Sequence, residues 1–249
     1  MRSNSELVKL LKSGRPKVYK KDLREKYGAG KGTILAQTLK EPKLLEDYRY
    51  DKRSRPPGPL SHLDLADPTI GGELPDWDSL LRDVVKLSTG HAAASDFEKA
   101  IKAILSSLFY PSLVHPIEQR EIHEGRKRID ITYTNLGNVG FFGWLSKHYP
   151  AANIFVECKN YGKEVGNPEL DQIAGRFSPS RGQVGVLVCR QFENKDHFMK
   201  RCRDTAQDQR GYVIALDDAD LAELAHARKR NERSVEFRLL KERFDMLVM

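Results

Sequence analysis

The stretch NIFVECKNYGKEV, residues 153–165, ends an apolar run by placing an acid and a lysine two residues apart. Four of its first six residues are apolar, which reads as a strand, and a pleated strand projects Glu157 and Lys159 from the same face. A carboxylate and an ammonium taken out of water together must be paired, hydrogen-bonded or bound to a metal. The stretch therefore marks either an internal salt bridge or a site. It also supplies one strand around which the other elements can be ordered.

The triplet alone is not informative. With 35 acids and 21 lysines in 249 residues, about three acid-x-Lys triplets arise by chance, and the chain holds three, Glu41-Lys43, Glu157-Lys159 and Glu193-Lys195. Context separates the second, which alone ends a buried strand. It alone also follows a strand carrying an acid, Asp130 in RIDITY. Ile129 and Ile131 flank Asp130, so the acid points to the face opposite theirs, where an unpaired carboxylate needs a reason to exist.

The neighbouring elements follow from periodicity. SDFEKAIKAILSSLFY (95–110) has helical spacing with Ser95 as its expected N-cap. SLVHPIEQREIHE and KRIDITYT alternate around a tight Glu-Gly-Arg turn and read as a hairpin. After the strand at 153–160 come a helix at NPELDQIAGRF with Pro168 in its first turn, a buried strand QVGVLVCR, and a helix through NKDHFMKRCRDTAQDQRG. A strand YVIALDD and a helix ADLAELAHARKRN complete the series. The order αβββαβαβα predicts an α/β domain, a mixed β-sheet flanked by helices.

Residues 95–225 with this order, the acid Asp130, the pair Glu157 and Lys159, and the QVGVLVCR…YVIALDD tail resemble the PD-(D/E)XK superfamily of restriction-endonuclease-like nucleases, nearest its Mrr-like branch. The resemblance implies a restriction-endonuclease-like αβββαβ core. It makes Asp130 the first metal-binding acid, Glu157 the second and Lys159 the lysine of the motif, with Ile129 where many members carry proline. Glu98 matches an additional acid on the preceding helix, and Gln172 a glutamine on the helix after the third strand. The implied cofactor is Mg²⁺, with Mn²⁺ able to substitute, held by Asp130, Glu157 and Glu98. The implied activity is phosphodiester hydrolysis by a DNA endonuclease of prokaryotic restriction or anti-phage defence, acting on double-stranded DNA, as a homodimer or with a defence-system partner protein. Two rivals stay open: a catalytically silent nuclease-like module that binds nucleic acid or protein, and a nuclease acting on RNA or branched DNA.

Composition agrees with a polyanionic partner. The 42 Lys+Arg against 35 Asp+Glu give a net charge of +7 and a pI near 9.2. No apolar run is long enough to span a bilayer and the N-terminus lacks the apolar core of a secretion signal, so the expectation is a cytoplasmic protein without a membrane segment. Cys158, Cys189 and Cys202 have no CxxC spacing and read as reduced, mostly buried thiols. His115, His123 and His148 have no metal-ligand spacing. FFGWL (141–145) reads as a small core or interface patch. The basic runs GRKR (125–128) and HARKRNER (226–233) are either phosphate-tracking or solvated faces.

Before this domain, residues 1–50 read as a basic helical region resembling a helix-turn-helix. Its expected helices are SELVKLLKSG closed by Gly14, KKDLREKYG closed by Gly28, and KGTILAQTLKE stopped by Pro42. GAGKGT (28–33) is not a phosphate loop, because Glu25 stands where that loop needs glycine and the preceding residues are charged rather than a buried strand. Residues 51–78, dense in Pro, Gly and charge, read as a linker or long ordered loop, and 79–249 as the nuclease-like domain.

Overall fold

A computed structural model describes residues 7–11, 16–54, 62 and 73–249, which fall into two compact units divided between positions 57 and 58. The first unit opens with β1 (Val8–Leu10), paired antiparallel with β2 (Pro16–Val18) through Val8↔Val18. This corrects the helix expected over SELVKLLKSG. Three helices follow, α1 (Lys20–Tyr27), α2 (Lys31–Lys40) and α3 (Pro42–Ser54). Lys9 on β1 pairs with Asp22 on α1 at 2.6 Å. Gly28 (φ +85°) and Gly30 (φ +103°) make the turn between α1 and α2, a conformation that favours glycine. Pro42 opens α3, where its fixed φ suits the first helical position and its missing N–H costs nothing. Helix α3 thus occupies 51–54 of the expected linker, and 55–61 and 63–72 lie outside the described residues.

The second unit begins with α4 (Trp77–Val85), whose N-cap Asp76 accepts from the Ser79 N–H at 3.0 Å. A 3₁₀ turn at His91–Ala93 leads into α5 (Ala94–Leu108). The cap position is therefore Ala93, and Ser95 lies inside the helix. Phe97, Ile101, Ile104, Leu105 and Leu108 form the buried stripe of α5, at the spacing of one helical face. The hairpin of β3 (Leu113–Ile122) and β4 (Lys127–Asn135) follows.

Next comes α6 (Gly140–His148), a helix absent from the expected order, which holds FFGWL. Phe141, Phe142 and Leu145 are buried there, so the patch belongs to the core. The chain continues through β5 (Asn153–Lys159), α7 (Asn167–Ala174), β6 (Val184–Cys189), α8 (Lys195–Gln207), β7 (Tyr212–Leu216), α9 (Asp218–Lys229) and a further unforeseen helix, α10 (Arg233–Val248).

The five strands form one sheet in the order β3-β4-β5-β6-β7, with β3/β4 and β4/β5 antiparallel and β5/β6 and β6/β7 parallel. The expected mixed α/β sheet flanked by helices is thus observed. All six residues of β6 are buried, as both faces of a central parallel strand are covered. The three cysteines are free and buried. No helix among the described residues is long and apolar enough to cross a membrane.

Candidate active site

The site lies where the ladder between β4 and β5 ends. Backbone pairing reaches Ile131↔Val156, and one further step of that register sets Asp130 opposite Glu157. There the Asp130 side chain takes over from the backbone: its Oδ2 accepts from the Cys158 N–H at 2.8 Å. Ile129 and Ile131 are buried to 1 % and 0 % exposure, which leaves Asp130 on the other face, as the alternation requires.

Glu157 (1 % exposed) and Lys159 (7 %) leave the final residues of β5 from that same face. The Lys159 Nζ donates to Glu157 Oε1 at 2.8 Å and to Gln172 Oε1 at 2.9 Å, and the Gln172 amide donates to the same Glu157 oxygen. Gln172 arrives on α7, whose start is held by Pro168 and by Glu169 Oε2 accepting from the Gly166 N–H at 2.9 Å. The result is a closed ring of three side chains around one carboxylate oxygen. Glu157 Oε2 is buried and has no hydrogen-bond partner.

Glu98 stands half-buried on α5 and accepts from Gln119 Nε2 at 2.6 Å. Burial raises the Glu98 carboxyl, and Asp130 nearby raises it further. Burial also raises Asp130, against the hydrogen bond from Cys158 and the positive charge of Lys159. Glu157 is pushed up to about 7 by burial and then by Asp130, with Lys159 opposing. Burial works against the Lys159 charge, yet Glu157 beside it prevails and its ammonium is raised. The sequence-predicted residues Asp130, Glu157, Lys159 and Gln172 are therefore brought together, with Glu98 within electrostatic reach of Asp130.

Such a set suits a hard divalent cation. An orphaned, buried carboxylate oxygen and three acids that are all harder to ionise than usual are relieved by a cation between them. No group of three His, Cys, Asp or Glu forms a ready cage among the described residues. Magnesium does not require one, since it is bound by one or two carboxylates and keeps several waters.

Basic residues border the acids. Arg176 Nε donates to the Arg128 carbonyl at 2.7 Å, Lys127 Nζ donates to the Gly175 carbonyl at 3.0 Å, and both arginines favour the ionised form of Asp130. The GRKR run thus borders the site. Among the described side chains of HARKRNER, Arg228 bonds the Leu108 carbonyl and Glu236, Lys229 pairs with Asp78, and Arg230 pairs with Glu232 at 2.9 Å. His115, His123 and His148 are all exposed.

Three residues at or beside the site are not singled out by the sequence. Gln119 is one. Asn160 is another: its Nδ2 donates to the Ser88 and Gly90 carbonyls at 2.9 and 3.0 Å, tying the approach to α5 onto the end of β5. Arg190 completes this tie through Leu87 O (2.6 Å), Asn160 Oδ1 (3.3 Å) and Asp218 (2.9 Å). A charged residue directly after the buried strand β6 was the one clue to it.

Comparison with known proteins adds one match. The family model of the Mrr catalytic domain, described as restriction endonuclease, matches residues 92–225. No curated protein and no solved structure matches the chain.

Proposed function

The chain belongs to the restriction endonuclease family, a family of nucleases acting on DNA, and on that footing we propose that it is a Mg²⁺-dependent DNA endonuclease whose centre is Asp130, Glu157 and Lys159. The observation that carries the reading is the buried Glu157 Oε2, left without a partner beside a second carboxylate and a lysine. A structural salt bridge alone would engage Glu157 Oε1 and leave Oε2 buried beside a second carboxylate with nothing to offset it.

In this reading Asp130 and Glu157 hold the ion, and Glu98 offers a further carboxylate. When bound, Mg²⁺ or Mn²⁺ polarises a phosphoryl oxygen and lowers the pKa of an attacking water. Lys159 orients that water and offsets the negative charge that builds on the phosphate. Gln172 holds the Lys159 ammonium at the shared Glu157 oxygen. Arg128 and Arg176 supply positive charge for the phosphate backbone at the rim.

The wider setting belongs to the same proposal: double-stranded DNA as substrate, restriction or anti-phage defence as role, and the cytoplasm as compartment, where three free thiols stay reduced. A homodimer would cut both strands. The test is incubation of the purified protein with plasmid, single-stranded DNA and RNA in Mg²⁺, Mn²⁺ or EDTA, beside Glu157→Gln and Lys159→Ala. Expected are metal-dependent cleavage of duplex DNA by the wild type and loss of at least about 10²-fold in both variants, with folding retained. Equal activity in the variants would overturn the assignment.

A further inference from the structure

Next to the acids stands a residue whose backbone is held in an unfavourable conformation. Gln119, within β3, has φ +47°, in the left-handed region that residues with a side chain seldom enter. Glycine is the residue that such a backbone favours, so a glutamine at this position points to a use for its side chain. That side chain reaches Glu98, with Nε2 donating to Oε2 at 2.6 Å. The flanking pairs Glu118↔Ile131 and Arg120↔Ile129 set Gln119 opposite Asp130 on β4. One neutral amide thereby links the acid carried by helix α5 to the strand position facing the acid carried by the sheet. Local departures from regular strand geometry beside active sites re-aim a side chain in this way.

A glutamine also suits the task chemically. It donates a hydrogen bond to Glu98 without bringing a positive charge that would compete with a cation for the carboxylate.

We propose that Gln119 is a positioning residue of the metal-binding centre, holding the Glu98 carboxylate toward Asp130 so that it takes part in binding the cation. The inference rests on the nuclease reading above.

The test uses the full-length protein, Mn²⁺ titration by calorimetry, and steady-state cleavage of supercoiled plasmid. Gln119→Gly removes the amide and relaxes the backbone; Gln119→Asn tolerates the left-handed conformation but is one methylene too short to reach Glu98. His115→Gly is the control, since His115 has φ +51° on the same strand and is exposed. Expected are about tenfold or greater weakening of Mn²⁺ binding in both Gln119 variants and a lower kcat at limiting Mn²⁺ that excess Mn²⁺ restores. The KM for DNA stays unchanged, and the melting temperature of Gln119→Gly is no lower than that of the wild type. His115→Gly keeps wild-type Mn²⁺ affinity.

Wild-type Mn²⁺ affinity in both Gln119 variants would overturn this inference alone. A loss confined to Gln119→Gly and accompanied by a lower melting temperature would make the residue merely structural and overturn it too. Absence of metal-dependent cleavage in the wild type would overturn the nuclease reading and this inference with it, so the two failures are told apart.

Discussion

At the scale of single residues, Glu157 is the most strongly raised of the three carboxyls through which the site responds to pH. Its carboxyl is raised to about 7 from an ordinary 4.5, first by burial and then by Asp130. The folded state therefore holds a proton that the unfolded chain gives up earlier. That contribution to stability is complete below about pH 4.5 and is lost as pH rises through about 7. Metal-free protein should show a melting temperature that falls between pH 5 and pH 8, and Glu157→Gln, which cannot ionise, should flatten the fall. A cation bound as proposed would displace the same proton, so added Mg²⁺ should raise the melting temperature more at pH 8 than at pH 6. A melting curve of equal pH slope in wild type and Glu157→Gln would refute the assignment of the raised proton affinity to this residue.

Among the elements, α6 and α10 lock the far end of the sheet through aromatic packing. Phe244 on α10 is fully buried and meets Phe141 and Trp144 of α6 at ring-centroid distances of 6.2 and 5.6 Å, Tyr149 at 4.6 Å and Tyr212 of β7 at 5.2 Å. Phe244→Ala leaves a cavity that these rings cannot close, and chemical denaturation should report a loss of about 3–5 kcal/mol. None of these rings is a site residue, the acids being carried by β4, β5 and α5, so Mn²⁺ affinity of the folded variant should stay near that of the wild type. Gly143 shows why α6 fits where it does: a Cβ there would meet the Asn138 carbonyl carbon at 2.5 Å, so the helix rests directly on the loop from β4.

For the whole molecule, the division between positions 57 and 58 sorts the charge. Residues 1–57 hold sixteen Lys and Arg against seven Asp and Glu, which leaves twenty-six against twenty-eight for the rest. The net +7 therefore resides in the first unit, while the unit bearing the acids is slightly negative. This partition supports a role for the first unit in engaging the DNA backbone, whose affinity is dominated by counterion release. Replacing the exposed Lys20, Lys21, Lys31 and Lys40 by glutamine should weaken DNA binding at low salt. It should also reduce the slope of log affinity against log salt by roughly 0.9 for each phosphate that is no longer neutralised. An unchanged slope would show that the first unit does not engage the backbone.

What the amino-acid order alone determined is what depends on neighbours close in the chain. Strand alternation aimed Asp130 away from its flanking isoleucines and put Glu157 and Lys159 on one face, and helical spacing gave α5 its buried stripe. Glycine and proline chemistry marked the α1–α2 turn and the hairpin. The family resemblance added Glu98 and Gln172. Only the tertiary structure decided what depends on residues far apart. Gln119 meets Glu98 across 21 positions, Arg190 reaches back 103 residues to Leu87, and Arg228 donates to a carbonyl 120 residues earlier. The strand at Val8–Leu10 likewise depends on pairing with β2, which overrides a helical pattern in so short a segment. Local periodicity reports which face a side chain occupies; what stands opposite that face is set by how the chain folds back on itself.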